Sequence, residues 1–308
     1  MSDYTPELQH YQLLDLIGCG GMGYVYNGYE VKSQKPVAIK ILSPECTHIE
    51  PILIRFKAEG HILRNLNHPN IVKFVEAGQE GQCHFLAMEY ISGISLDSLP
   101  RSHTMTNIAM GKDLPTMEDY LSIFINCFSA LDYIHKQQLV HRDIKPQNII
   151  LQGSNHFPRF IDFGIAKSLK NDKDFDEPGE RLYTMVYASP EQLTSKPVDY
   201  KSDLFSFGVV MYEKLTGNLP FRGKSEIEIF IAQTKWNFPP PRQLQPEIPQ
   251  KLEQIILKLL SKDPEQRYPT AAMVHGELEK LLDVIRQGQK GLAMSGIIGD
   301  IRGAVSTG

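Results

Sequence analysis

The pattern of apolar residues changes at Ser92 and Gly93, and this change limits the possible folds more than any other feature of the sequence. Before it, short segments rich in Val, Ile, Tyr and Phe are separated by Gly, Pro or polar breaks, which predicts β-strands at residues 11–18, 24–30, 36–42, 71–78 and 83–91. One helix is predicted among them at residues 51–66, where apolar residues recur at helical spacing. The first third of the chain therefore predicts a small sheet with a single helix.

Beyond this change the apolar residues repeat with a helical period, at residues 121–135, 202–215, 227–234, 252–260 and 271–286. The two patterns together predict an α+β chain of two lobes, a sheet-rich N-lobe at residues 1–91 and a larger helical C-lobe at residues 92–286. The last segment, residues 287–308, contains six glycines and no strong pattern. This composition favours a flexible tail or the beginning of a further segment.

Charge and cysteine usage exclude several classes of protein. The chain has 32 Lys and Arg against 36 Asp and Glu, so its formal net charge of −4 provides no positive field for nucleic acid or for an anionic membrane. No apolar run reaches the length of about 18 residues that a membrane span needs, and the N-terminus lacks the order of a secretory signal. A reduced, cytoplasmic protein is indicated by four widely spaced cysteines without a CxxC pair, Cys19, Cys46, Cys83 and Cys127.

A glycine motif lies between the first two predicted strands. Gly18-Cys19-Gly20-Gly21-Met22-Gly23 matches GxGxxG, which alone is a weak signal because unrelated nucleotide-binding folds share it. In a dinucleotide-binding unit the third glycine begins a helix, whereas here Gly23 leads into the strand-like Tyr24-Val25-Tyr26. The motif therefore predicts a hairpin whose backbone N–H groups approach phosphate oxygens where any Cβ would keep them away.

Lys40 lies in an otherwise apolar strand, where an ammonium without a counter-charge is unfavourable. Glu59 falls on the inward face of the predicted helix, one residue after Ala58 and four before Leu63. The plainer alternative is that both are surface charges. The surrounding VAIK and FKAEGHILRNLNHPNIV segments favour an ion pair that holds the ammonium against the α- and β-phosphates of a nucleotide.

Two further motifs follow in the C-lobe. His141-Arg142-Asp143-Ile144-Lys145-Pro146-Gln147-Asn148 is the first, and Asp162-Phe163-Gly164 begins 14 residues after Asn148. With the glycine motif, Lys40 and Glu59, these motifs occur in order, and over about residues 10–286 the chain resembles the eukaryotic-type (Hanks) protein kinases. The segments GCGGMGYVY and SPEQL are most similar to those of the bacterial members.

The resemblance implies a protein-kinase-like fold, with a small antiparallel sheet and one helix in the N-lobe and a larger helical C-lobe. It also implies an enzyme that transfers the γ-phosphoryl group of ATP to a protein hydroxyl, and Lys145, two residues after Asp143, is similar to the Ser/Thr-directed kinases. Asp143 would then accept the proton of the substrate hydroxyl, and Lys145 would hold the γ-phosphate. Mg²⁺, or Mn²⁺ in its place, would be held by Asn148 and Asp162.

Further roles follow from the same resemblance. Thr184 would hydrogen-bond Asp143 and Lys145, Glu191 would pair with Arg267, and Asp203 would brace the backbone of the catalytic loop. Backbone groups of Glu89 and Ile91 would meet adenine, with Met88 as the gatekeeper. The faces of the adenine ring would contact three apolar side chains, Val25, Ala38 and Ile150. Core packing is an equally favoured alternative for these three.

The stretch at residues 169–183 departs from the family because it contains no Ser or Thr. An Arg before the catalytic Asp, as in Arg142-Asp143, usually accompanies a loop ordered by a phosphate. One hypothesis is that Glu180 or a neighbour supplies that negative charge to Arg142, so that phosphorylation in this stretch is not needed. The favoured alternative is a charged loop in solvent.

The expected partners are ATP and a protein substrate with Ser or Thr, with self-association for autophosphorylation as a further expectation from the family. A pseudokinase or ATP-binding scaffold is the alternative class. Six residues that phosphoryl transfer needs are all present, which argues against it, namely Lys40, Glu59, Asp143, Lys145, Asn148 and Asp162. Since bacterial kinases of this type often continue into a membrane span, the chain is also compatible with the cytosolic domain of a longer, membrane-anchored protein.

Overall fold

The computed structural model describes residues 6–99, 115–162, 185–194 and 196–305, with only the backbone described from residue 289 onward. In the N-lobe an antiparallel sheet of five strands has the order β1-β2-β3-β5-β4. One helix, α1 (Glu50–Asn65), packs on this sheet. The five strands are β1 (Tyr11–Gly20), β2 (Gly23–Glu30), β3 (Pro36–Leu42), β4 (Phe74–Glu80) and β5 (Cys83–Glu89).

Strand alternation gives the N-lobe sheet two different faces. Val37, Ile39 and Ile41 of β3 are buried on one face in a cluster with Phe85 and Ala87 of β5. The alternate residues of β3 point to the other face, toward α1 and the C-lobe. Helix α1 lies close to this second face, since a Cβ at Gly60 would be 3.1 Å from the Cβ of Ala77. The face of α1 that carries Glu59 is therefore directed inward, as the sequence predicts.

The C-lobe is built around two helices, α2 (Met117–Lys136) and α4 (Tyr200–Thr216). A capping box between Thr116 and Asp119 begins α2. The side chain of Asp199 caps α4 by accepting the N–H of Lys201, so this helix begins two residues before the predicted Ser202. Every residue of α4 from Lys201 to Thr216 is buried, which makes α4 the centre of the lobe.

The remaining helices surround this centre. They are α3 (Pro190–Leu193), α5 (Glu226–Lys235), α6 (Pro241–Leu244), α7 (Gln250–Leu259) and α8 (Ala271–Val305). Helix α8 packs along α2 and continues to Val305, across the glycine-rich segment in which the sequence predicts no regular element. Within the described residues, no helix is both long and apolar enough to cross a bilayer.

A second sheet of three antiparallel strands lies between the lobes, and the sequence patterns do not predict it. Its strands β6 (Gly93–Ser95), β7 (Ile149–Gln152) and β8 (Phe157–Phe160) are only three or four residues long. The predicted start of β4 at residue 71 is also wrong, because Ile71 and Val72 pair with Phe160 of β8 and β4 begins at Phe74. The two-lobed α+β organisation itself is confirmed.

Candidate active site

A cleft of about 650 Å³ is lined by residues of both lobes. Most residues proposed from the sequence for nucleotide or metal binding line it: Gly18, Cys19, Gly20, Gly21, Met22, Gly23, Val25, Ala38, Lys40, Met88, Glu89, Ile91, Lys145, Asn148, Ile150 and Asp162. Glu59 and Asp143 lie directly behind this lining, bonded to residues within it. A volume of this size is typical of a small-molecule site.

The glycine motif forms the turn between β1 and β2. Gly20 pairs with Gly23, so the chain reverses over Gly21 and Met22 and continues as a strand. Gly23 has a φ of 156°, and a Cβ at this position would lie 2.0 Å from the carbonyl oxygen of Ile41. Only glycine therefore fits there. A hairpin in this place excludes the helix that a dinucleotide-binding unit would need.

Lys40 is held in the cleft by two carboxylates. Its Nζ lies 2.9 and 2.8 Å from the two oxygens of Glu59 and 3.3 Å from Oδ1 of Asp162. Burial lowers the pKa of Lys40, but Asp162 and Glu59 outweigh burial and raise it above its ordinary value. Burial and the nearby Asp162 raise the pKa of Glu59 above its ordinary value, although Lys40 acts to lower it. The predicted contact between Lys40 and Glu59 is thus present.

The segment from His141 to Asn148 is held in place by a buried carboxylate. Asp203 of α4 accepts the backbone N–H groups of His141 at 2.8 Å and Arg142 at 2.9 Å, and it lies 2.8 Å from Nε2 of His135. Arg142 has a φ of 66°, a conformation that non-glycine residues seldom adopt. The bonds from Asp203 hold this strained turn, as the resemblance implies for that residue.

Asp143, Lys145 and Asn148 converge at the base of the cleft, and all three are buried. The amide Nδ2 of Asn148 donates to the carbonyl oxygen of Asp143 at 2.8 Å and to its Oδ2 at 3.0 Å. Nζ of Lys145 lies 3.3 Å from the same Oδ2. These bonds fix the Asp143 carboxylate beside an ammonium and an amide.

The segment that joins the lobes follows β5. Met88 is buried, and its register partner across the sheet is Ala38. Glu89 and Ile91 line the cleft beside it, opposite Ile150 of β7. The side chains of Val25, Ala38 and Ile150 are only partly buried and face the cleft, which leaves them available to a flat apolar ligand.

Glu191 and Arg267 form the structural ion pair that the resemblance implies. The guanidinium donates to both carboxylate oxygens, at 2.6 and 2.9 Å. Thr184, the residues 169–183 with Glu180, and Phe163-Gly164 lie outside the described residues. The roles expected for Thr184 and Glu180 therefore stay predictions.

Several residues of the cleft were not found by sequence reasoning. They are Ile17, Val72, Tyr90, Gly93, Ser95, Gln147 and Ile161, none of which is among the predicted site residues. The position of Ile17 directly before the glycine motif and that of Ile161 directly before Asp162 were usable signals. No such signal exists for Val72 and Ser95. They lie at the cleft because they pair with strands of the second sheet, which the sequence patterns do not predict.

A glycine hairpin above the cleft, a buried lysine paired with an acid, and an Asp–Lys–Asn cluster at the base define a protein-kinase type of site. Residues 11–278 match the family model of the protein kinase domain, and the chain belongs to this family. A probable serine/threonine-protein kinase of Clostridium perfringens is 35% identical over 271 residues, which cover 88% of this chain and 38% of that protein. Serine/threonine-protein kinase PrkC of Bacillus subtilis is 34% identical over 280 residues, covering 91% and 42%.

PknB of Mycobacterium leprae, a serine/threonine-protein kinase, is 32% identical over 272 residues, with 87% of this chain and 42% of that protein covered. The chain spans about two fifths of the length of these relatives. The crystal structure of the Mycobacterium tuberculosis PknI kinase domain superposes with a TM-score of 0.65 at 21% identity, covering 89% of this chain and 97% of that chain. This likeness confirms the predicted two-lobed fold.

Proposed function

We propose that this chain is a protein serine/threonine kinase that transfers the γ-phosphoryl group of ATP to a protein hydroxyl, with Asp143 as the catalytic base. The observation that carries the proposal is the meeting of three distant parts of the chain at Lys40, whose Nζ lies 2.8 Å from Glu59 and 3.3 Å from Asp162. This ammonium lies between acids of different lobes and still lines the open cleft, where a polyanion can reach it. A triphosphate is the ligand that such a cleft accommodates.

The cleft suits the parts of ATP in order. Its lining includes three apolar side chains, those of Val25, Ala38 and Ile150, together with Glu89 and Ile91 of the segment that joins the lobes. These groups would hold adenine between apolar faces and hydrogen-bond its edge. The glycine hairpin extends from there toward Lys40, so its N–H groups and the ammonium would bind the phosphates.

The donors at the base of the cleft fit a magnesium ion. Asn148 and Asp162 present an amide and a carboxylate oxygen there, the hard ligands that Mg²⁺ or Mn²⁺ accepts, and Asp162 remains accessible with 38% of its side chain exposed. When bound, the ion would neutralise charge on the β- and γ-phosphates. Lys40 then keeps Asp162 directed into the cleft, and Asp143 keeps the amide of Asn148 oriented by accepting its hydrogen bond.

Positioning would supply most of the catalysis, because phosphoryl transfer passes through a loose transition state. Asp143 would orient the substrate hydroxyl and take its proton, and Lys145, 3.3 Å from the same carboxylate, would hold the γ-phosphate beside it. Lys40 and Lys145 would stabilise the negative charge on the transferred phosphoryl group. A pseudokinase is not favoured, since none of these groups is replaced.

The test is phosphoryl transfer itself. We expect the protein, given γ-labelled ATP and magnesium, to label a generic protein substrate, with the label on Ser or Thr in a phosphosite map. Binding of ATP without any transfer would support the scaffold alternative, and label on Tyr alone would contradict the Ser/Thr assignment. The same map would show whether the protein modifies itself and whether any site lies within residues 169–183.

The replacement Glu59→Gln tests the ion pair on α1. The neutral amide keeps the shape of the side chain but removes the charge that fixes Lys40, and a hydrogen bond to a charged group contributes about 1.5–3 kcal/mol. We therefore expect kcat/KM for ATP to fall at least about tenfold. The matched control is Glu118→Gln, which removes an exposed pair with Arg286 and should leave kcat/KM unchanged. Equal activity of Glu59→Gln and wild type would contradict the role of Glu59.

We infer that the chain is the catalytic part of a longer protein, because it spans about two fifths of its relatives. Substrate choice would then depend on the whole protein, and self-association through other segments would allow autophosphorylation. A cytosolic position of this part, with or without a membrane anchor elsewhere, agrees with its composition.

A further inference from the structure

An ion pair behind the cleft joins β8 of the C-lobe to the segment that connects the two lobes. Arg159 of β8 is 8% exposed, and its guanidinium pairs with the carboxylate of Glu89, the last residue of β5. The same guanidinium nitrogen donates to the carbonyl oxygen of Ile71 at 3.0 Å. Oε1 of Glu89 also accepts the N–H of Lys73 at 2.8 Å. One guanidinium and one carboxylate thus connect three separate stretches of chain.

Two of these stretches link the N-lobe to the C-lobe, the first as the chain connection itself and the second, which lies within the N-lobe, through hydrogen bonds to β8. The first is the segment after Glu89, whose backbone would meet adenine. The second is the segment from Leu66 to Lys73 between α1 and β4, which is bonded along β8. Its contacts with β8 are Val72 N–H to the Phe160 oxygen at 2.8 Å, Phe160 N–H to the Asn70 oxygen at 2.9 Å, and Asn70 Nδ2 to the Pro158 oxygen at 2.8 Å.

Strand β8 leads directly to the metal side of the cleft, since Asp162 follows Phe160 by two residues. Arg159 therefore lies three residues before Asp162 and contacts the segment at the adenine end. It does not line the cleft. Any effect of this side chain on the reaction must pass through the position of the residues that do.

We propose that Arg159 is a positioning residue that fastens the lobe connection to β8 and so sets the distance between the adenine-binding backbone and Asp162. The proposal rests on the proposed kinase function and assigns Arg159 to nucleotide affinity. Arginine suits this task because its planar fork places two nitrogens here, Nη2 against Glu89 and Ile71 and Nη1 at 3.3 Å from Oε1 of Gln152 on β7. The chemical step, which depends on Asp143 and Lys145, should be little affected.

A comparison with Arg267 separates this role from plain structural support. Arg267 makes five hydrogen bonds, one for each of its N–H groups. In contrast, the buried Nε of Arg159 has no hydrogen-bond partner within the described part of the chain. A buried charge with an unsatisfied donor is a weak source of stability. The contribution to stability therefore gives little reason for an arginine at position 159, whereas its contact with the lobe connection does.

The replacement Arg159→Gln tests the proposal in the whole chain. We expect KM for ATP and the dissociation constant for ADP to rise about tenfold, the effect of losing one charge-assisted bond, while kcat changes less than about threefold. Arg159→Lys keeps the charge near Glu89 but not the bond to Ile71. Its loss of ADP affinity should therefore be about threefold, which is half of the tenfold loss on a logarithmic scale. A purely structural role would lower the unfolding temperature without this division between KM and kcat.

Glu89→Gln and the double variant Arg159→Gln/Glu89→Gln complete the test. If Arg159→Gln does not fold, Glu89→Gln alone tests the same link. Since both single changes break the same link, the double variant should bind ADP no more weakly than the weaker single variant. Arg286→Gln, which breaks an exposed pair in the C-lobe, is the control and should bind ADP like wild type. Unchanged ADP affinity in folded Arg159→Gln and Glu89→Gln, or a fall in kcat alone, would overturn the proposal. ADP binding decides it even if wild type transfers no phosphate, which would contradict only the proposed function.

Discussion

Replacing Asp143 by Asn should lower kcat by about 10²–10⁴-fold, because an amide cannot accept the proton of the substrate hydroxyl. The change is nearly isosteric, and an amide oxygen can still accept the bond that Asn148 now donates to Oδ2 at 3.0 Å. The base of the cleft should therefore keep its shape. ATP affinity should stay close to that of wild type, since Asp143 lies behind the lining of the cleft. Initial rates with γ-labelled ATP, together with ADP binding, measure both quantities.

Asp132→Asn is the matched control for this change. Asp132 lies on α2 and pairs with Lys136, one turn later and 70% exposed, so the same chemical substitution should leave both kcat and stability nearly unchanged. Equal phosphate incorporation by wild type and Asp143→Asn would remove Asp143 from the reaction. Loss of ADP binding in the variant would instead show that the carboxylate supports the cleft and does not act as a base.

The Lys40–Glu59 pair was predictable from the sequence because it follows from local patterns with a clear physical demand. An ammonium in an apolar strand needs an acid, and helical spacing left Glu59 on the inward side. The Glu191–Arg267 pair and the bracing by Asp203 came from the family resemblance alone. No local pattern shows that residues 76 positions apart, such as Glu191 and Arg267, will meet.

The Arg159 link could not be predicted by either route. Strands β7 and β8 have four residues each, and β8 contains Pro158, so the usual pattern of a strand is too short to recognise. Without β8, the apolar run at Ile71 was assigned to β4, although it pairs with Phe160 across the lobe boundary. The error at the start of β4 and the missed contact of Arg159 with Glu89 thus have a single cause.

Replacing Arg267 by Met should have the largest effect on stability, lowering the free energy of unfolding by about 3–5 kcal/mol. Arg267 is fully buried, and its five donors bind Glu191 and the carbonyl oxygens of Ser261, Lys201 and Lys262. The variant leaves the Glu191 carboxylate buried with one remaining side-chain donor, the hydroxyl of Ser202 at 2.5 Å. Chemical denaturation at neutral pH measures the loss, with exposed Arg286→Met as the control.

The double variant Arg267→Met/Glu191→Met should recover part of this loss but not all of it. Removing both charges abolishes the unpaired carboxylate, and well-packed apolar residues can replace a buried ion pair without penalty. The backbone oxygens of Ser261, Lys201 and Lys262 still lose their donor in the double variant, and burying them without a donor limits the recovery. Full recovery would show that water reaches these oxygens, and no recovery would show that Arg267 acts through them alone.

The pH dependence of the single variant identifies the charge on Glu191 as the cause of its instability. Burial by itself would raise the pKa of Glu191, but the hydrogen bonds from Arg267 outweigh burial and hold the pKa below its ordinary value. In wild type this group therefore stabilises the fold above the ordinary Glu pKa, and its contribution is lost as pH falls through the lowered one. Without Arg267 the pKa should lie above the ordinary value, so acidification from neutral pH protonates Glu191 in the folded variant first. The stability difference between wild type and Arg267→Met should consequently shrink as pH falls toward the ordinary Glu pKa, whereas a difference that is constant with pH would assign the loss to packing and backbone bonds.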